Sequence, residues 1–177
     1  MEKLKRDNKI DADPSEVLVT VGAIEGLSTA VMALVDPGDE VLMPSPNYST
    51  HAQQVVLASA VPVYVPTIEE EGFRLDVDAF REAVTDKTKA IMFCTPSNPT
   101  GAVFGEGDIH ALADIALEHD LAVITDESYE YFTFDDARHF SIASIPEMRE
   151  KTVSCFTLTK TYAMTEWRIG YAHTSYN

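Results

Sequence analysis

A lysine and an arginine stand beside the last two apolar runs of the chain, where each could act on a small molecule. Lys160 follows a run that ends at Leu158, and Arg168 precedes the next run. A lysine at the mouth of a dry site loses its proton readily and can form a Schiff base with a carbonyl. The planar arginine fork is well suited to a phosphate. On position alone, a solvated lysine and a structural ion pair remain open alternatives.

Two further predicted strand ends carry groups that could bind a ligand. Gly22-Ala23-Ile24 lies where a predicted strand gives way to a helix, and the helix N-terminus there favours an anion. Asp126 ends another apolar run, and a buried carboxylate at that point needs a cationic partner. Tyr129 can direct its phenol at the same ligand. A turn glycine, an N-cap and a loop carboxylate are the structural alternatives.

Asn98 and Tyr48 are weaker candidates taken alone. Asn98 offers an amide, although asparagine before proline in a turn is commonly structural. Tyr48 fits a core position or a helix start equally well.

Alternating apolar runs and amphipathic stretches must position these residues, and they predict an α/β domain with a largely parallel sheet. Ligands of such sheets bind outside the carboxyl ends of the strands. Seven strands and five helices are predicted. The strands are 17–21, 40–43, 61–65, 90–94, 121–125, 152–158 and 169–174, and helices include one ending near 35, 48–58, one starting after Asp76, and 106–119.

The helix after Asp76 has a clear start signal. Asp76 is a predicted N-cap, and Leu75 and Phe80 are spaced to form a hydrophobic staple across it. The acidic run at 69–72 before it is predicted to be a solvated loop.

Composition excludes several classes of function. The chain of 177 residues has 13 Lys plus Arg against 29 Asp plus Glu, a net charge of −16, which argues against nucleic acid and anionic membranes. There are only 2 cysteines, which favours a reducing compartment. No membrane-spanning run and no signal peptide are evident, so a cytoplasmic location is expected.

Other common site types find no support in the motifs. The 5 histidines lack metal-ligand spacing and are predicted to be surface or strand residues, so no metal site is expected. Neither cysteine has a CxxC partner. Phosphate-loop, dinucleotide and nucleophile-elbow motifs are missing, which makes a nucleotide-binding domain or a serine hydrolase a weak alternative.

Four motifs occur in order along nearly the whole chain. They are Gly22-Ala23-Ile24-Glu25 with Asp36-Pro37-Gly38-Asp39-Glu40-Val41, then Asn98-Pro99-Thr100-Gly101, Asp126-Glu127-Ser128-Tyr129-Glu130, and the segment from Thr157 to Tyr171. Together they resemble the class I/II pyridoxal-phosphate-dependent aminotransferases, of fold type I and similar to aspartate aminotransferase.

The resemblance implies a role for each candidate. Lys160 would form the Schiff base with pyridoxal 5'-phosphate and shuttle a proton during turnover. Asp126 would keep the pyridine nitrogen protonated. Tyr129 and Asn98 would hydrogen-bond the ring oxygen, and Tyr48 would stack on the ring. The phosphate would be held by Arg168, Thr157 and the backbone of Gly22, Ala23 and Ile24.

The resemblance also implies the architecture: a three-layer αβα domain whose seven-stranded sheet has only its last strand antiparallel. Residues 1–16 are interpreted as a lead-in segment and 17–177 as the cofactor-binding large domain. The small C-terminal domain, which carries the arginine for the substrate carboxylate, and the N-terminal arm are expected to be absent. Members act as homodimers, so self-association is expected.

One position departs from the family pattern. Glu166 stands two residues before Arg168, where glycine is usual. A carboxylate there could compete for Arg168 or repel a phosphate. We expect Glu166 to point into solvent and to reduce phosphate affinity.

The leading hypothesis is amino-group transfer between an L-amino acid and a 2-oxo acid. Two alternatives stay open at this point. One is a truncated, inactive fragment that binds the cofactor without turnover, and the other is a β-lyase or racemase on the same scaffold.

Overall fold

The computed structural model describes residues 1–175, in which a seven-stranded sheet is covered by helices on both faces. The strand order is β1-β7-β6-β5-β4-β2-β3, and only β7 is antiparallel to its neighbours. The predicted fold is confirmed. The elements are β1 Val17–Thr20, α1 Gly22–Leu34, β2 Glu40–Ser45, α2 Ser49–Leu57, β3 Val61–Pro66, α3 Val77–Glu82, β4 Thr88–Cys94, α4 Glu106–Glu118, β5 Ala122–Asp126, β6 Thr152–Thr157 and β7 Gly170–His173.

Alternation along the central strands creates two separate cores. In β4, Ile91 and Phe93 face α3 and α4, whereas Ala90 and Met92 face α1 and α2. Successive side chains of a strand point to opposite faces, so a strand buried on both sides must be apolar throughout. The nearly unbroken apolar runs are therefore the signature of the sheet's middle strands.

Helix α3 starts as predicted. The side chain of Asp76 accepts a hydrogen bond from the backbone N–H of Ala79 at 3.0 Å. Leu75 and Phe80 are fully buried in the same core cluster. The cap and the apolar anchors together hold this six-residue helix on the sheet.

Several predicted boundaries shift by one or two residues. Leu121 lies outside β5 because its N–H bonds to the carbonyl of Ala116 at the end of α4. At the other end, Asp126 belongs to the strand, since it pairs in register with Cys94 and Cys155. Strand β2 continues through Pro44 to Ser45 because its pairing with β3 persists there.

The count of five helices is wrong for the described residues, which contain four α-helices. Between β5 and β6 the chain forms only short 3-10 turns, Ile142–Ser144 and Pro146–Lys151. Pro146 stands at the start of the second turn and removes one N–H from any longer helix.

The lead-in segment, residues 1–16, packs against the domain. Leu4 and Ile10 are buried with Phe156 in a small third core. The boundary of the predicted domain stays a prediction, and its last two residues, 176 and 177, lie outside the described residues. Within residues 1–175, no helix has the length and apolarity needed to cross a membrane.

Candidate functional site

A cavity of about 240 Å³ opens at the carboxyl end of the parallel strands. It lies where the segments that follow β2, β4, β5 and β6 meet the N-terminus of α1. Of the ten residues predicted for the site, Gly22 alone is not in its lining. The predicted residues in the lining are Ala23, Ile24, Tyr48, Asn98, Asp126, Tyr129, Thr157, Lys160 and Arg168.

Lys160 brings an exposed amine to one wall of the cavity. It lies three residues past the end of β6, and its Nζ is 5.5 Å from the centroid of the Tyr129 ring. The ring face attracts the ammonium form and limits where the amine can move. The arrangement suits an amine that attacks a carbonyl bound in the cavity.

Asp126 is buried, with 6% of its surface exposed, and both of its oxygens have partners. Oδ2 lies 3.1 Å from Nε2 of His51, and Oδ1 accepts the N–H of Ser128 at 3.0 Å. Placing a carboxylate at the cavity wall in this way provides a fixed negative charge for a cationic ligand group.

Sequence reasoning missed the contact of His51 with Asp126. His51 was expected at the surface or in a strand, and that expectation is wrong, because it lies in α2 with 1% exposure. Its ring also meets the Tyr48 ring edge-on, with centroids 5.4 Å apart. The available signal was its position one helical turn after Tyr48, which places both side chains on the same side of the helix start.

Arg168 and Gly22 meet at one corner of the site, where hydrogen-bond donors gather. A Cβ built on Gly22, whose φ is +73°, would lie 2.3 Å from Nη2 of Arg168. Glycine is therefore required here, both for the backbone angle and for the guanidinium to lie against the start of α1. Free N–H groups at that helix start add to the positive potential.

Three threonines complete this corner. Nη1 of Arg168 donates to Oγ1 of Thr159 at 3.4 Å and to the carbonyl of Thr165 at 3.1 Å. Thr157 donates to Oγ1 of Thr159 at 2.9 Å. Thr159 and Thr165 line the cavity without having been predicted. The corner therefore presents hydroxyl, guanidinium and backbone donors together, the donor set that phosphate oxygens require.

Glu166 is exposed, as expected, in the short 3-10 turn Thr165–Trp167. Among the ion pairs of the described residues there is none between Glu166 and Arg168. Direct competition for the guanidinium is thus not observed, and only its longer-range electrostatic effect on a phosphate remains to be tested.

A second polar cluster lies behind the cavity. Ligand atoms of Glu127, Glu130 and His139 lie within 4.8 Å of one another, close enough in principle to share a metal ion. Two donors from the lead-in segment already bind these carboxylates, namely the Lys3 ammonium and the Asn8 amide. The cluster is better described as an internal hydrogen-bond network.

The sheet order, the reversed β7 and the lysine-bearing cavity define an α/β domain of aminotransferase fold type I. The family model described as aminotransferase class I and II matches residues 1–176. The chain belongs to this family.

Relatives and solved structures agree with this assignment. The chain is 48% identical over 171 residues to an aspartate aminotransferase of Pyrococcus abyssi, covering 96% of this chain and 44% of that protein. It is 45% identical to aromatic-amino-acid aminotransferase 2 of Thermococcus litoralis, covering 96% and 44%. An aromatic aminotransferase structure from Pyrococcus horikoshii superposes with a TM-score of 0.95 at 48% identity, covering 98% and 47%. The chain thus spans less than half the length of these relatives.

Proposed function

We propose that this chain binds pyridoxal 5'-phosphate at Lys160 and serves in amino-group transfer between an L-amino acid and a 2-oxo acid. One observation carries the proposal: the Lys160 amine, the buried Asp126 carboxylate and the Arg168 guanidinium line a single cavity. They match the carbonyl, the basic ring nitrogen and the phosphate of this cofactor.

The donor set of the cavity fits the cofactor. The corner at Gly22 would be filled by any Cβ, which means that the backbone is shaped around the arginine that meets the phosphate. Asp126 lies at the wall with a carboxylate ready to pair with a protonated ring nitrogen. Asn98 and Tyr129 supply an amide and a phenol for the ring oxygen, and Tyr48 supplies an aromatic face.

When bound, pyridoxal phosphate supplies a carbonyl that bonds to amines and a ring that withdraws electrons from the substrate's α-carbon. Lys160 would hold the cofactor through Nζ and would move a proton at that atom. Asp126, whose carboxylate is oriented by His51, would stabilise positive charge on the ring. Arg168 would hold the phosphate in place independently of Lys160.

The partners proposed for the chain follow from the same family membership. An amino acid and a 2-oxo acid are the proposed substrates, and a homodimer is the proposed assembly. A reducing, cytoplasmic compartment is proposed because both cysteines, Cys94 and Cys155, are free and buried.

The attachment of the cofactor is tested by adding pyridoxal phosphate, reducing with borohydride and locating the added mass by peptide mapping. We predict modification at Lys160 and its loss in Lys160→Ala, while Lys87→Ala, which removes an exposed lysine elsewhere, stays like wild type. Asp126→Ala is predicted to keep the fold but lose the absorbance of the protonated ring. Modification that is absent from Lys160 in the wild type would reject the proposal.

Turnover is tested by offering amino acids together with a 2-oxo acid and following the new amino acid. Transamination supports the full proposal. Pyruvate and ammonia formed without an amino acceptor would indicate a β-lyase instead. A Lys160 adduct without any turnover would restrict the function of this chain to cofactor binding.

A further inference from the structure

The turn that follows β5 carries one proposed cofactor contact, Tyr129, and directly follows another, Asp126. Three backbone hydrogen bonds hold this site turn, residues 127–131: Glu127 N–H to the carbonyl of Cys155 at 2.9 Å, Glu130 N–H to the carbonyl of Glu127 at 3.2 Å, and Phe132 N–H to the carbonyl of Tyr129 at 2.7 Å. Strand pairing with Cys94 and Cys155 fixes the backbone of Asp126. The direction of its carboxylate, which accepts from Ser128 N–H in the turn, and the position of Tyr129 also depend on how the turn is held.

The side chains of the site turn divide between two directions. Asp126 and Tyr129 line the cavity, whereas Glu127 and Glu130 face the lead-in segment. Asn8 contacts both carboxylates, so they lie on the same side of the turn. The side of the turn that carries the two carboxylates thus contacts the lead-in segment, and Asp126 and Tyr129 face the cavity proposed to bind the cofactor.

Lys3 forms an ion pair with Glu130 on this side of the turn. Its Nζ lies 2.5 Å from Oε1 of Glu130, and their side chains are only 22% and 9% exposed. The same ammonium lies over the Phe156 ring, 4.1 Å from the centroid. Removing one partner from a partly desolvated pair costs more than removing one from an exposed pair, because it leaves a mostly buried carboxylate without its cation. Burial raises the pKa of Glu130 despite the opposing effect of Lys3.

Asn8 joins the two carboxylates. Its Nδ2 is 2.8 Å from Oε2 of Glu130 and 3.2 Å from Oε2 of Glu127, and its Oδ1 accepts from Lys3 at 2.8 Å. Asn8 itself is buried, with 3% exposure. Acidic groups so close together would repel each other without these donors.

Glu127 connects the hydrogen-bond network to the sheet through Thr125 of β5. Its Oε1 accepts from Thr125 at 3.0 Å, and its Oε2 contacts Nε2 of His139 at 2.8 Å and the hydroxyl of Ser141. Burial alone would raise the pKa of Glu127, but the His139 and Ser141 hydrogen bonds lower it to about 2. The carboxylate is thus a charged, fixed point to which the lead-in segment attaches.

We infer that Lys3 and Asn8 are positioning residues of the cofactor site, which hold the site turn from behind and thereby fix Asp126 and Tyr129 in the cavity wall. The lead-in segment is then a structural part of the site, although none of its side chains reaches the cavity. The expected effect on cofactor binding rests on the proposed function. The expected effect of Lys3 and Asn8 on the site turn does not.

The test uses hydrogen exchange on the apo chain together with cofactor titration. Lys3→Met and Asn8→Ala are expected to speed exchange of the amides in residues 127–131. They are expected to weaken pyridoxal phosphate binding by up to about tenfold, because only part of the energy of a charge-assisted hydrogen bond within the turn is transmitted to the cofactor contacts. Lys3→Arg is expected to restore both. Lys5→Met is the matched control, since Lys5 pairs with Asp11 at the surface with 71% and 77% exposure.

The two measurements separate the possible failures. Exchange in the site turn that is unchanged in both variants overturns the inference, whether or not the cofactor binds. Faster exchange with unchanged affinity and an unchanged absorbance maximum also overturns it, because the segment would then support the fold alone. A wild type that fails to bind at Lys160 rejects the proposed function, and hydrogen exchange still decides whether Lys3 and Asn8 hold the turn. If Asn8→Ala does not fold, Lys3→Met and its arginine rescue carry the test.

Discussion

Asp126 illustrates how neighbours control one side chain at the residue scale. Its two oxygens meet a histidine ring from α2 and a backbone N–H from its own turn, at 3.1 and 3.0 Å. These contacts restrict the rotation of the carboxylate, so that its direction is set before any ligand arrives. Preorganisation of this kind reduces the entropy lost on binding.

Glu166 should weaken phosphate binding through its charge. We predict that Glu166→Gln and Glu166→Gly each raise the affinity for pyridoxal phosphate about two- to threefold at low salt, because a screened carboxylate nearby repels the phosphate modestly. Absorbance titration at two salt concentrations measures the effect, and the gain should disappear at high salt. Glu150→Gln, at an exposed position elsewhere, is the control. Unchanged or weaker binding in both Glu166 variants would contradict the prediction.

Glu127 should make stability depend on pH. Its pKa falls from 4.5 to about 2 in the folded chain, so its charged form favours folding above about pH 4.5 and that stabilisation is lost as the pH falls toward 2. We predict that Glu127→Gln lowers the free energy of unfolding by about 2 kcal/mol at pH 7. The difference from wild type should shrink in urea unfolding at pH 3. The same substitution at exposed Glu147 should change little, and a constant difference across pH would refute the assignment.

At the scale of elements, the sequence signals for where a helix begins are more reliable than the predicted number of helices. Asp76 and the apolar pair beside it located α3 correctly because caps act within one turn of chain. The count of five helices was wrong. The long segment between β5 and β6 forms only short 3-10 turns, which have no strong local pattern.

The N-cap of α3 can be tested directly. We predict that Asp76→Ala destabilises the chain by about 1 kcal/mol, since it removes the acceptor for the Ala79 N–H. Thermal or urea unfolding measures the change. Asp78→Ala, in the same first turn but exposed, provides the control for loss of negative charge. Equal effects of the two substitutions would show that the cap bond contributes nothing of its own.

At the scale of the whole molecule, the net charge of −16 opposes both compactness and the binding of an anion. Local hydrogen-bond donors at the site act against this repulsion of an anion. They are a helix N-terminus, a guanidinium and hydroxyls near Gly22 and Arg168. Short-range hydrogen bonds can hold a phosphate even where the long-range potential is unfavourable.

Salt should therefore stabilise the folded chain by screening its net charge. We predict that the melting temperature of the apo chain rises by a few degrees between low and about 0.5 M sodium chloride at pH 7, because the ions screen self-repulsion. Calorimetry near pH 4.5, the isoelectric region, provides the comparison in which this rise should vanish. A rise of the same size at both pH values would argue against charge repulsion as the cause.

The amino-acid sequence by itself determined the succession of strands and helices along the chain and the buried character of the middle strands. It also identified Lys160, Asp126 and Arg168 as candidate site residues. Those features depend on periodicity, caps and motifs, which are local in the chain. The tertiary structure alone decided that His51 meets Asp126, that Arg168 lies against Gly22 and that Lys3 reaches Glu130. Such pairs join distant segments, and only the order and register of the strands bring them together.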